Sequence, residues 1–349
     1  PTGAAASALR QCRRVLTEDG RRSRGAARPW GAGFSLETMT DPSRPRPTPR
    51  WRAWIGWAAA AACLVLFARV FTTHDVVGVL ARLPLALLLL VPLMGVRMVF
   101  GALSWKWSFP ELPDSAPLPW RHLFWIRMAG EGINNGLVSA YVAGEPVKGM
   151  LAARYGPSTT AGLASALIGK TLHTFGEVLF ILVGAVTAGL ALEATRPVAG
   201  WMLTAGGVGV LVILAAIFLQ RRRLIGRGAR LFRTLRLGPR RLWDRALPGA
   251  DAVDEAVHGY YSRQSRDALL ATFFAFLDWA FGAVEVWVFL AVATPVEDPF
   301  LLALVIEAAI DVVKGLSFFV PGSLGAQEGG IAWIFGALGC GVAVGGAYA

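Results

Sequence analysis

The stretch VAGWMLTAGGVGVLVILAAIFL, from Val198 to Leu219, decides the fold class, because it runs for 22 residues without a charged side chain. A helix rises about 1.5 Å per residue, so a run of this length matches the ~30 Å hydrocarbon core of a bilayer. Comparable apolar runs lie on either side, at Ala53 to Phe71, Leu83 to Leu103, Leu172 to Leu192, Ala268 to Ala293, Phe300 to Val320, and from Ile331 onward. Together they predict an all-α polytopic membrane protein with about seven transmembrane helices. Of the 349 residues 55% are hydrophobic and 16% charged, against an apolar share of roughly 45–50% in soluble domains.

The formal net charge is +11, and the basic residues gather in the N-terminal arm and in one long loop. That distribution fits cytoplasmic segments facing anionic lipid and argues against nucleic acid as a partner. Residues 1–50 are rich in Arg, Pro and Ser and are expected to form a disordered basic arm. Met39 precedes the first apolar run closely enough to be the expected true start, which intact-mass analysis of natively expressed protein would check. No stretch resembles a cleaved signal peptide. The membrane domain is expected over 51–349, with a cytoplasmic basic loop at 220–267. The last apolar run reaches Ala349 without a polar tail, as in a chain that continues or that lacks a final helix.

Arg44, Arg46, Arg50 and Arg52 before the first run place the N-terminus inside. Lys106, Arg121 and Arg127, and later the dense series from Arg221 to Arg266, are assigned to the cytoplasm by the same rule. The connections at Thr72 to Arg82, Glu193 to Pro197 and Thr294 to Pro299 are poor in basic residues or acidic, as outer loops are. The alternation closes if the segment near Ile133 to Leu151 enters and leaves on one side, as a re-entrant element.

That segment belongs to GEGINNGLVSAYVAGEPVKGMLAARYG, Gly130 to Gly156, which carries Glu131, Asn134, Asn135, Glu145 and Lys148 among its apolar residues. Irregular backbone at membrane depth is tolerated where protein or a water-filled cavity surrounds it, and broken helices recur at transporter binding sites. A surface amphipathic helix is the alternative reading. SFFVPGSLGAQEGG, Ser317 to Gly330, repeats the pattern of apolar run, Pro/Gly break and acidic side chain, with Gln327 and Glu328 at its end. Here the alternative is a tight loop in which Glu328 caps the next helix.

Ionisable residues inside the runs add a third signal, since each costs roughly 2.5–3.5 kcal/mol at a helix centre on insertion scales. Lys170, His173, Thr174 and Glu177 share one helical face, as do Asp278 and Glu285, and Glu307, Asp311 and Lys314. These faces are expected to point into the bundle, to pair between helices or to meet a substrate. Arg97, midway along the second run, reads as a lone guanidinium suited to bidentate phosphate or carboxylate contact. Gly341 and Gly345 have the spacing of a close helix contact. Cys12, Cys63 and Cys340 and the scattered His74, His122, His173 and His258 form no metal-ligand or disulfide pattern, so no metal or other cofactor is expected.

At these residues the chain resembles the lysylphosphatidylglycerol synthase transmembrane region, a flippase-like family of integral membrane proteins. The likeness is carried by N-N-G-L and A-G-E-P-V-K-G (Asn134 to Gly149) and by V-P-G-S-L-G-A-Q-E-G-G (Val320 to Gly330), and spans about residue 53 to the end. The second motif is most similar to the hopanoid-associated branch. The chain reads S-A-Y-V-A before its Gly-Glu pair, where the family commonly has a Pro, and has Lys148 where Arg is frequent.

The resemblance implies a helical bundle with two re-entrant, broken elements that translocates lipid between leaflets of a bacterial inner membrane. It carries over Glu145, Lys148, Pro321, Gly322, Gly325 and Glu328 as motif positions. Anionic phospholipid, hopanoid and polyprenyl-linked lipid are all candidate substrates. An enzyme acting on a lipid-linked substrate, or a non-transporting scaffold, are the competing readings. No nucleophile has an evident base partner, so the chain is expected not to be an enzyme.

Overall fold

The computed structural model describes residues 84–136, 144–190, 195–235, 240–296, 299–317 and 325–349, all within the unit Trp54–Ala349. The basic arm, Met39 and the first apolar run lie outside the described residues. So do 137–143 and 318–324, the links in the two broken motifs.

All regular structure among the described residues is helical, in eleven helices: α1 Pro84–Lys106, α2 Trp120–Gly136, α3 Gly144–Ala152, α4 Thr159–Leu190, α5 Arg196–Arg221, α6 Leu224–Thr234, α7 Arg240–Arg263, α8 Ser265–Ala293, α9 Phe300–Leu316, α10 Ala326–Ala337 and α11 Val342–Tyr348. Four of these contain segments long and apolar enough to cross a membrane, at Leu88–Lys106, Thr159–Leu190, Val198–Arg221 and Ser265–Ala293. They coincide with four of the expected runs. The run expected over Phe300 to Val320 gives a 17-residue helix, Phe300–Leu316, and its last three residues lie outside the described ones. The run from Ile331 is not one span, because Gly339 (φ 79°) and Gly341 (φ 93°) take backbone conformations that end α10 and start α11. The expected basic loop at 220–267 is itself mostly helical, as α6 and α7.

The long helix α4 organises the bundle through glycines at a nearly heptad spacing. Gly162 meets the backbone of α3 at Gly149, Gly169 meets Trp105 at the end of α1, Gly176 meets Ala275 and Phe276 of α8, and Gly184 meets Ala308 of α9. A Cβ at Gly176 would stand 2.7 Å from the Phe276 amide nitrogen, so these backbones approach as only small residues allow. In a bilayer such van der Waals contact drives helix association, because lipid is as apolar as leucine. The main apolar core forms where α4, α5, α8, α9 and α10 meet, around Phe180, Met202, Phe289, Ile306, Ile310 and Phe335. Val208, Leu211, Val212 and Phe218 of α5 are exposed, which is the expected state of a lipid-facing side.

Helices α2 and α3 pack antiparallel, with Asn134 beside Gly144 and Gly130 beside Lys148. Helix α10 returns against α9, with Gly330 at Val313. The close approach expected at the last glycine pair holds for Gly345, where an added Cβ would lie 2.7 Å from the Phe335 Cβ. Gly341 contributes a turn instead.

Candidate functional site

A chain of ion pairs runs through the interior and joins helices from both ends of the sequence. Lys148 Nζ on α3 lies 2.8 Å from Glu145 and 3.8 Å from Glu131 of α2. Glu131 is 3.7 Å from Arg127, whose other nitrogen is 3.4 Å from Asp278 of α8. Asp278 turns its second oxygen to Arg97 Nε of α1 at 3.2 Å. From Arg97 Nη1 the chain branches to Glu285 at 3.2 Å and Glu307 of α9 at 3.7 Å. Glu307 and Asp311 share Lys314, at 3.6 and 3.1 Å.

Two helical rules place these groups. Arg127 and Glu131 are four residues apart and face one another on α2, and Glu307, Asp311 and Lys314 form one stripe on α9. Aromatic faces line the same path: Arg97 lies 5.3 Å and Lys314 6.0 Å from the Trp279 ring, and Lys148 lies 5.7 Å from Trp105. His173 Nε2 of α4 stands 3.7 Å from Asp278, with its ring against Trp279. Asn134 donates to Glu145 at 3.3 Å and accepts the Gly144 amide at 2.8 Å, tying α2 to the first turn of α3.

The linked groups are six carboxylates and four basic side chains, Arg97, Arg127, Lys148 and Lys314. Most are nearly sealed from solvent, Glu307 at 1% and Asp311 at 0% exposure. Both oxygens of Glu307 and Oδ2 of Asp311 are buried without a hydrogen bond, so acceptor capacity is left over at this end. Chemically the chain is a buried series in which carboxylates alternate with basic side chains. Among the described residues no three His, Cys, Asp or Glu side chains are grouped as metal ligands.

Several expectations need correction. Arg97 is not a lone guanidinium, since three carboxylates from α8 and α9 surround it. Lys170 reaches the surface while its charge acts on Glu131, His173 and Glu177, and Glu177 on the same helix is half-buried. Glu328 accepts the Gly325 amide at 2.6 Å and so caps α10, the local role that its spacing allowed. Gln327 sits beside it, half-buried in the first turn. Pro321, Gly322 and the side chain of Asn135 lie outside the described residues. Asn134, Glu145, Lys148, Glu307, Asp311 and Lys314 join the chain as drawn above.

Arg127, which charge counting places among the loop cations, is 6% exposed and holds the middle of the chain. Its signal was the i,i+4 pairing with Glu131. Also unread were the glycines that make room for the charges. A Cβ at Gly101 would lie 2.5 Å from Arg127 Nη2 and 2.6 Å from Asp278 Oδ2, and one at Gly282 would lie 2.5 Å from Glu307 Oε1. Gly101→Ala is therefore expected to lower stability by about 1–3 kcal/mol, read as earlier thermal unfolding in detergent. Gly95→Ala, one helical turn and a half away with open space around it, should change little.

The bundle and its ionic interior define a polytopic helical membrane protein. The family model for the lysylphosphatidylglycerol synthase TM region matches residues 53–349, and the chain belongs to that family. The match is to the family as a whole and distinguishes no hopanoid-associated branch. The chain is also similar to a UPF0104 membrane protein of Methanothermobacter thermautotrophicus, 24% identical over 243 residues, covering 66% of this chain and 70% of that one. No solved structure matches it.

Proposed function

We propose that this protein translocates lipid across a bacterial inner membrane, with the headgroup handled along the ionic chain and the acyl tails left in the bilayer. The observation that carries this reading is the continuity of that chain, from Lys148 on the α2–α3 hairpin to Lys314 on α9. A charged headgroup entering hydrocarbon alone faces a large desolvation cost, and fixed partners along the path lower it. The two broken motifs act as paired re-entrant elements around this path, in a domain of about seven spans with its N-terminus in the cytoplasm. Anionic phospholipid, hopanoid and polyprenyl-linked lipid all present a polar end that suits alternating donors and acceptors. The protein supplies a path and performs no covalent step.

The test is leaflet exchange of labelled lipids of these three classes in liposomes holding the purified protein. Wild type should exceed protein-free vesicles for at least one class, and Glu145→Gln, which breaks the 2.8 Å contact to Lys148, should slow it by about tenfold. Folded protein that moves none of them would defeat the reading.

A further inference from the structure

Helix α6 follows the span α5 with two residues between them, and its two sides differ sharply. Arg223 takes the left-handed conformation (φ 56°, ψ 53°), which turns the chain before α6 begins at Leu224. Asp254 of α7 accepts the amides of Ile225 at 3.2 Å and Gly226 at 2.7 Å, satisfying first-turn donors that have no partner inside the helix. Gly226 and Ala229 are buried on this side. Three arginines here already have acidic partners on α7: Arg223 with Glu255 at 2.6 Å, Arg230 with Asp251 at 3.2 Å and Arg233 with Asp244 at 3.0 Å.

Helix α7 is in turn fixed to the ends of the bundle. Its Tyr260 hydroxyl donates to the Trp107 carbonyl at 2.8 Å, Tyr261 donates to Gln220 at 3.0 Å, and His258 Nδ1 lies 3.0 Å from the Arg221 carbonyl. Helix α6 is thus held at the end of α5 by a braced partner.

Leu224, Ile225, Gly228, Leu231 and Phe232 of α6, with Leu235 at its C-cap, are spaced as one continuous helical stripe, at whose edge the Phe232 ring lies 5.8 Å from the Trp243 ring of α7. Leu231 is 55%, Phe232 46% and Leu235 57% exposed. The stripe starts a few residues after Phe218 and Leu219, which are exposed on the last turn of α5.

We propose that α6 is an interfacial helix, lying at the headgroup boundary of its own bilayer with Leu231, Phe232 and Leu235 in the acyl region. Its proximity in sequence to the lipid-facing surface of α5 identifies the bilayer, and not a second protein, as the occupant. Because the arginines on its far side are paired to α7, apolar area holds α6 to the membrane, and anionic lipid is not required. This places the lipid contact of the basic segment on its apolar stripe, and it stands whether or not the chain translocates lipid.

The test uses the full chain with Cys12, Cys63 and Cys340 replaced by Ala, carrying one new cysteine at Leu231→Cys, Phe232→Cys or Arg227→Cys and an environment-sensitive fluorophore, in nanodiscs. Labels at 231 and 232 should be quenched by brominated acyl chains at least several-fold more than the label at 227, in zwitterionic and anionic bilayers alike and at low and high salt. Quenching confined to anionic bilayers at low salt would overturn the proposal in favour of electrostatic attachment. Labels at both positions reached freely by a water-soluble quencher would also overturn it, leaving a protein partner for the stripe.

Discussion

Asp278→Ala should lower stability more than any other single change in the ionic chain, by about 3–5 kcal/mol, the range for removing one member of a buried ion pair. Asp278 faces two guanidiniums at once, with Oδ1 on Arg97 and Oδ2 on Arg127, and His173 stands beside it. Its loss leaves Arg127, which is nearly fully buried, with Glu131 at 3.7 Å as its one carboxylate partner among the described residues. Thermal unfolding in detergent reads the effect, and the double variant Asp278→Ala/Arg127→Leu separates its cause. If the loss comes from an uncompensated guanidinium, the second substitution should restore part of the stability, because an apolar pair of similar volume removes the stranded charge. If the double variant is the sum of two losses, Asp278 serves α8 packing and not the ion-pair chain.

The spans were legible because the bilayer imposes a length and a composition that few other structures share, and the run at 198–219 satisfies both in the plain sequence. The division of the last run into α10 and α11 was not, because hydropathy does not register the positive φ values at Gly339 and Gly341. The two acidic stripes of α8 and α9 were readable from helical spacing, and both meet at Arg97. Spacing also places Lys170 on the face of His173, and the structure adds that Lys170 reaches the surface while its charge acts on Glu131, His173 and Glu177, because periodicity gives a direction around one helix and says nothing of which neighbour covers it.

Arg127 shows a different limit. Loop charge counting gives it a side of the membrane but no partner, because Asp278 lies 151 residues away, beyond the reach of any local pattern. The glycines at 101 and 282 were unreadable for the same reason: their meaning is the side chain that occupies the space of the missing Cβ, and that side chain comes from another helix. Glu328 was the easier case, since one of its two readings was local, and that one, a cap three residues away, is realised.

Arg97→Gln should all but abolish lipid exchange, by about a hundredfold, equivalent to about 2.7 kcal/mol. The planar guanidinium reaches Asp278 through Nε and both Glu285 and Glu307 through Nη1, over the face of Trp279, and so couples α1, α8 and α9 at one point. Glutamine keeps a polar tip but removes the charge, leaving Glu285 without its 3.2 Å cation and Glu307, among the described residues, with Lys314 alone at 3.6 Å. Arg97→Lys separates charge from shape. Lysine restores the charge as a compact ammonium that cannot hold the same fork of contacts, so exchange should recover only to about a tenth of wild type while the protein remains folded. Full recovery with lysine would mean that the site needs a positive charge and not the fork. Unaltered exchange in Arg97→Gln, with the protein shown to be folded, would move the headgroup path away from the ionic chain and leave that chain as the structural tie between the two halves of the bundle.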